Sequence, residues 1–452
     1  MRAWRVAVVG GGPGGLFTSY FLQNAADTPV RITLFEASSR LGGKILTPEF
    51  TSARVRYEAG AAEFYDYSMF EDDPLKDLIE ELGLPIAPMG GAAVIMNNHL
   101  LANLDDIRDR FGTDACRELV AFDKAAKDRI TPREFYHSDY PDGVSGTTDL
   151  RRFDTLLDTV RAPDARHYVE TAIHSDLATE PRHTSLSYGL QNYLMNDPAY
   201  MLLYGIEGGN ERLPREIAAR IQADFRMEHR VSHIERVEGG QLRVRSVTAT
   251  TTHEDDFDFV VVALPHSALE SVTFTGDRLR TAIESHRNDY DFPAHYLRIT
   301  ILFRTPFWRT VLNDSFWMLD RFGGCCLYDE SSREPGARYG VLGWLLGGQA
   351  AVDHSALSDE QLIREALDSL PEFLTGGREE FLEGRVHRWT GAVNAIPGGI
   401  RPVCLDRRHQ PDPVEHPNLF LVGDYLYDST LNGVLDSAEY VSDWIAALTA
   451  SS

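Results

Sequence analysis

Six residues near the N-terminus, Gly10-Gly11-Gly12-Pro13-Gly14-Gly15, carry the clearest chemistry in the chain. They fit GxGxxG through Gly10, Gly12 and Gly15. Gly10 makes a tight turn, Gly12 lets the backbone approach a pyrophosphate, and Gly15 lets a helix pack on a strand. Pro13 and Gly14 open that helix, whose free N–H groups and dipole favour phosphate. Glu36 follows Gly15 by 21 residues. A carboxylate there can accept hydrogen bonds from a ribose diol and would repel a 2′-phosphate, which disfavours NADP. The set predicts a dinucleotide site.

The elements that must position it read directly. Residues 5–9 (RVAVV) are a short apolar, β-branched run, as buried parallel strands are. Residues 14–23 form a helix and 31–35 (RITLF) a second strand. A helix covers 75–82 and stops at Gly83. Residues 85–205 read as a mostly helical second domain inserted into the first, with a polar interruption at 140–148. A helix returns at 211–221. Strands are expected near 227–235, 241–250, 257–263, 294–304, 338–346 and 418–422, and a last helix from about Asn432. No internal repeat or low-complexity segment is visible.

Composition bounds the function. The 452 residues suggest two or three domains at roughly 150 residues each. Lys plus Arg number 44 and Asp plus Glu 68, a net charge of −24. That argues against nucleic-acid binding and gives no support to docking on anionic lipid. It favours a cationic substrate, or serves only solubility. The four cysteines (Cys116, Cys325, Cys326, Cys404) show no CxxC spacing and fit a reduced intracellular protein. No metal-ligand spacing appears. No signal sequence or long apolar run is present, so a cytoplasmic location is expected.

Further motifs narrow the dinucleotide. Arg40-Leu41-Gly42-Gly43-Lys44 follows Glu36, and Gly423-Asp424 precedes Leu431-Asn432-Gly433-Val434-Leu435-Asp436-Ser437-Ala438. Between them stand Tyr57-Glu58-Ala59-Gly60-Ala61, Gly208-Gly209-Asn210, Asp258 to Pro265, Pro306-Phe307-Trp308 and Trp389. Together they resemble the flavin-containing amine oxidase superfamily, over nearly the whole chain. The resemblance implies FAD as cofactor and an α/β architecture with a Rossmann-like FAD-binding domain. That domain would be built from 1–84, 206–290 and 385–452, interleaved with an α+β substrate domain from 85–205 and 291–384. It implies cofactor contacts from the glycine turn, Glu36, Arg40, Gly42, Gly43, Lys44, Ala61, Ala62, Val231, Trp389, Gly423, Asp424, Asn432, Gly433 and Val434. Asn432 and Gly433 would offer N–H groups to the flavin. Gly398 stands where covalent-flavin members have cysteine, which implies noncovalent FAD.

Four departures concern the reacting centre. Gly399 and Thr430 replace the aromatic pair that encloses an amine in monoamine oxidases, so a bulkier substrate pocket is expected. Glu63 stands where L-amino-acid oxidases have an arginine for the substrate carboxylate; it would attract an ammonium and could accept its proton. Arg298 replaces the lysine tied to oxygen reactivity, eight residues before Pro306. Tyr188, Tyr193, Tyr200 and Tyr204 could line the pocket, or belong to a core. With Glu63, Arg298 and Trp389 as catalytic candidates, the resemblance implies an FAD-dependent oxidase acting on a carbon bearing nitrogen, with O2 as acceptor and H2O2 released. A bulky or specialised substrate, such as a secondary metabolite, would suit it. Two alternatives stay open: a flavin desaturase forming C=C bonds, favoured by Arg298, and a non-catalytic binding protein like the GDP-dissociation inhibitors. A homodimer is compatible with the sequence.

Overall fold

The computed structural model describes residues 3–69, 72–91, 93–130, 135, 152–334, 336–399, 403, 405–427 and 429–450. The interruption at 140–148 and Cys404 lie outside them.

A five-stranded parallel sheet places Leu419–Leu421, Phe259–Val262, Trp4–Val9, Val30–Glu36 and Ala223–Met227 side by side in that order. The apolar runs read from the sequence are its central strands; Val6, Ala7, Val8 and the whole of Phe259–Val262 are buried. Both faces are covered, which explains the lack of polar alternation. On one face the helices Pro13–Ala25 and Leu431–Ala450 pack together through Leu16, Phe17, Ala438, Val441 and Ile445. On the other lies a four-stranded sheet, Thr252–Phe257, Leu242–Val247, Arg230–Arg236 and Thr273–Thr275, sharing a core of Val231, Ile234 and Val244 with Ala7 and Val260.

A seven-stranded sheet runs Phe381–Asn394, Pro293–Phe303, Gly340–Gly347, Cys325–Asp329, Phe316–Leu319, Val94–Met96 and His99–Leu101. The helix Pro163–Leu177 crosses it. A small sheet joins Phe64–Asp66, Leu202–Ile206 and Ile86–Met89. These last two sheets correct one expectation. The segment 85–205 is helical in bulk, yet it gives short strands to both sheets. Runs such as Val94–Met96 and His99–Leu101 are too short for periodicity to show.

Two other expectations change in the same way. The strand expected at 227–235 is two strands in different sheets, Ala223–Met227 and Arg230–Arg236, broken where Glu228 takes φ +59°. The run near 257–263 is likewise divided at Asp258. Thr252–Phe257 pairs antiparallel with Leu242–Val247, while Phe259–Val262 enters the parallel sheet. Asp258 fixes that transition by accepting from the backbone N–H of Arg5 and from Gln241.

Candidate functional site

The glycine turn lies at the C-terminal edge of the parallel sheet, between Trp4–Val9 and Pro13–Ala25. Gly10 takes φ +111°, and a Cβ on Gly15 would stand 1.9 Å from the Gly10 carbonyl oxygen. Gly12 differs: a Cβ there would meet nothing nearer than the Gly43 Cα at 3.8 Å. The space above Gly12 is therefore open, and no side chain caps the helix that starts there. A cradle of uncapped N–H groups beside open volume fits a pyrophosphate. The Gly42 N–H donates to the Gly11 carbonyl at 2.8 Å, which brings Gly42 and Gly43 against the turn. Arg40 ties the same loop by donating to the Leu41 and Gly43 carbonyls. Val434, from the last helix, packs at Gly14, while Val231 lies buried in the neighbouring four-stranded sheet.

Glu36 ends the strand Val30–Glu36 beside Gly11. Its Oε2 accepts from the Gly11 N–H at 2.8 Å; its Oε1 accepts from the Ser38 N–H and hydroxyl at 2.8 and 2.7 Å. About four acceptor positions belong to a carboxylate, so about one remains for a ribose hydroxyl. Across the cradle, Lys44 donates to the Ala392 carbonyl and stands 3.3 Å from Asp424. The Gly423 N–H is held by Ser437.

The far end of the cradle holds Asn432, Trp389 and the segment Gly60-Ala61-Ala62. Asn432 donates through Nδ2 to Asp73 at 3.1 Å, while its Oδ1 is buried without a partner. That orphan acceptor fits a group bearing an N–H, such as a flavin ring. Thr430 uses its hydroxyl to accept from the Gly433 N–H at 3.1 Å, so it caps the last helix and the Gly433 N–H is already taken. Gly399 lies in an exposed turn at φ +85°, a conformation that favours glycine. Neither residue lines the cavity described below. Trp389 donates to the Ala59 carbonyl at 2.7 Å, and its ring lies 3.5 Å from where a Gly60 Cβ would stand.

Arg298 points inward and is 1% exposed. It donates to the Glu58 carbonyl at 2.6 Å and pairs with Glu330 at 2.5 Å. Its third nitrogen, Nη1, is buried without a partner. Glu330 also accepts from the Glu58 N–H at 2.7 Å. The Glu58 carboxylate pairs with Arg333 at 2.7 Å and accepts from the Asn210 N–H and the Thr47 hydroxyl. Arg333 in turn donates to the Ala62 carbonyl. The result is a buried network of two arginines and two glutamates behind Ala61 and Ala62. Glu58 lay within a quoted motif; Glu330 and Arg333 had no sequence signal.

Glu63 follows Ala62 and lines a small cavity, about 10 Å³ and so water-sized, with Tyr65, Asp176, Asn196, Cys326 and Tyr328. Tyr328 hydrogen-bonds the Glu63 carboxyl, whose Oε2 is buried without a partner. Burial raises Glu63 above the usual carboxylate range, against the nearby charge of Arg298. Burial and then the Glu63 charge push Asp176 up to about 8. The Tyr296 hydroxyl reaches the Asp176 carbonyl at 3.3 Å, and Tyr296 pairs in register with Trp389. Asp176 was missed. One signal existed: an aspartate in the last turn of Pro163–Leu177 opposes the helix dipole, which requires another reason for its presence. Of the four aromatics, Tyr188 acts electrostatically on Tyr65 and Tyr296. Tyr193, Tyr200 and Tyr204 pack on Phe122, Phe135 and Phe64 as core.

A parallel sheet with an open glycine cradle, joined to a buried polar pocket, defines a dinucleotide-dependent enzyme. Comparison with known proteins gives the family. The model of the flavin-containing amine oxidoreductases matches residues 13–446, and the chain belongs to that family. Polyamine oxidase 5 of Oryza sativa subsp. japonica is 22% identical over 398 residues, covering 86% of this chain and 76% of that protein. A double mutant of putrescine oxidase superposes with a TM-score of 0.76 at 16% identity, over 99% of this chain and all of that one. Cyclohexylamine oxidase from Brevibacterium oxydans IH-35A gives 0.74 at 19% identity, over 99% and 100%. The chain is an FAD-dependent oxidoreductase of the amine-oxidase family. The non-catalytic alternative falls with that membership. Among the described residues no helix is long and apolar enough to cross a membrane.

Proposed function

We propose that this enzyme oxidises a cationic amine at the carbon bearing nitrogen, giving an imine. FAD, when bound, accepts the hydride and returns the electrons to O2 with release of H2O2. The observation that carries the reading is the Glu63 cavity: carboxyls walled by tyrosines, with no cation among its lining residues. Such a lining attracts an ammonium by charge and by the faces of the rings. At about 10 Å³ it has room for a water-sized ammonium head alone, and the rest of the substrate would have to lie elsewhere.

The chain's own residues divide the work. Gly12, Glu36, Gly43 and Lys44 hold the nucleotide half of the cofactor on the parallel sheet. Asn432, Trp389 and Ala61-Ala62 hold the ring end. Arg298, fixed by Glu330, places a permanent charge behind Glu63. The seven-stranded sheet and the helix Pro163–Leu177 form the substrate side. Gly398 gives no thiol for a covalent link, so acid precipitation is expected to leave all the yellow colour in the supernatant.

The test is an absorption spectrum under argon with pooled amines. Bleaching near 450 nm by an amine, and imine-derived product on workup, is expected. Arg298 in place of lysine favours a second reading, C=C formation; a yellow protein bleached only by a substrate without nitrogen, with a new C=C in the product, would establish it.

A further inference from the structure

We infer that Asp176 and Glu63 act as one proton-sharing pair that strips the substrate ammonium of its proton. The inference rests on the amine-oxidase reading above. At rest the pair holds one proton between two carboxyls. An alkylammonium entering the cavity displaces that proton to solvent and stands against two carboxylates. The ammonium N–H proton then passes to the pair. The substrate is left as the neutral amine, with the nitrogen lone pair that hydride loss requires. When the hydride leaves with its two electrons, the iminium carries one positive charge and faces a pair carrying one negative charge.

Three observations carry this. Both carboxyls line one cavity, and among the described residues no lysine, arginine or histidine lines it with them. Glu63 Oε2 is buried with no partner. The Asp176 carboxyl has only long contacts, 3.4 Å from Asn196 and 3.5 Å from Ser175, at the limit of what counts as a hydrogen bond. Two half-satisfied carboxyls in a dry cavity hold a proton in place of a countercharge.

The surroundings keep the pair in that state. Tyr65, Tyr296 and Tyr328 stay neutral, each pushed well up by burial, and Tyr188 is buried beside them. Cys326 is a neutral thiol, pushed up by burial. His174, on the helix that carries Asp176, is committed to Glu180 at 3.1 Å. Behind Glu63, Arg298 is held by Glu330 and Arg333 by Glu58.

Proton affinity then matches the task. An alkylammonium titrates near 10.4 and an ordinary carboxyl near 4, so transfer to an ordinary carboxylate is unfavourable by roughly six powers of ten. With Asp176 near 8 the gap falls to roughly two or three.

The probe is ammonium chloride, whose cation is about the size of a water and has no carbon to be oxidised. Calorimetry with the FAD-bound enzyme at pH 7, in two buffers of different ionisation enthalpy, is expected to show about one proton released per cation bound. Asp176→Asn is expected to keep its flavin spectrum, bind the cation and release none. Failure of the wild-type enzyme to bind the cation, or binding without proton release, overturns the pair. With an oxidisable amine, flavin reduction in Asp176→Asn is expected to fall ~100-fold at pH 7 and to recover above about pH 10. An equal loss at every pH overturns the proton role. A flavin that no amine bleaches refutes the amine-oxidase reading itself, whatever the calorimeter shows; bleaching by an amine with no proton released refutes the pair alone.

Discussion

Substituting alanine at Gly12 and at Gly15 separates cofactor binding from folding. Gly12 has φ −77° and ψ −175°, an extended conformation open to any residue, and its Cβ would lie 3.8 Å from the nearest atom. The protein alone therefore accepts Gly12→Ala; its stability is expected to stay within ~0.5 kcal/mol, or to rise slightly through the unfolded state. The methyl group would occupy the space over the helix N-terminus. If a pyrophosphate lies there, overpacking costs about 1–3 kcal/mol, an affinity loss of roughly 5- to 150-fold. Gly15→Ala inverts the pattern. Its Cβ would stand 1.9 Å from the Gly10 oxygen, where a carbon–oxygen contact needs about 3.3 Å or more. The helix Pro13–Ala25 would have to move away from Val8 by over about 1 Å, at a cost of about 3 kcal/mol or more. The assay is thermal melting of both apoproteins, with FAD affinity from quenching of its fluorescence. Wild-type FAD affinity in Gly12→Ala, or an apoprotein that melts as low as Gly15→Ala, would refute the placement of the cofactor.

Three further outcomes are expected. Glu330→Gln leaves Arg298, 1% exposed, without its carboxylate; removing one partner of a buried pair costs about 3–5 kcal/mol, and a loss under ~1 kcal/mol in denaturant melts would show that water reaches the pair. Asp176→Asn is expected to be more stable than the wild type at pH 8.5. The folded carboxyl titrates near 8 and the unfolded one near 4, so wild-type stability falls as pH rises between them. The difference, at most about 5 kcal/mol, should close towards pH 4 in thermal midpoints, and a gap independent of pH would contradict the shift. Trp389→Phe loses the bond to the Ala59 carbonyl; a cost near 1 kcal/mol is expected in the same melts, and none at all would mean that water replaces the indole N–H.

What the sequence made legible follows locality. The glycine turn, Glu36 and the buried strands are decided by neighbours within some thirty residues, and their patterns are strong. Their positions hold to within a residue or two at Trp4–Val9, Pro13–Ala25 and Val30–Glu36. The carboxyl pocket is decided by contacts between distant segments. Glu63 was visible because Ala61-Ala62 fixed its place. Glu330 and Asp176 were not, because the seven-stranded sheet and the helix across it bring them in. Even the inward turn of Arg298 is a matter of strand register. It pairs with His387 and Leu345 on its two sides, and alternation sets which face it takes.

The charges behind and within the pocket argue together for a cationic substrate. Arg298 and Arg333 face four carboxyls, Glu58, Glu63, Asp176 and Glu330. Both arginines are committed, Arg298 to Glu330 at 2.5 Å and Arg333 to Glu58 at 2.7 Å. Glu63 and Asp176 are left without a cation of their own, and burial raises both. Leaving two such carboxyls ionised is costly, and each is relieved only by a proton or by a bound positive charge. A neutral hydrocarbon would have to bury both in their protonated forms and would gain nothing from the unpartnered Glu63 Oε2. An ammonium satisfies that oxygen and supplies the missing charge. On the proposed reading the same pocket would discriminate against a C=C substrate through its electrostatics, independently of its shape. The chain's overall charge of −24 could not make that distinction, since it is spread over the whole surface.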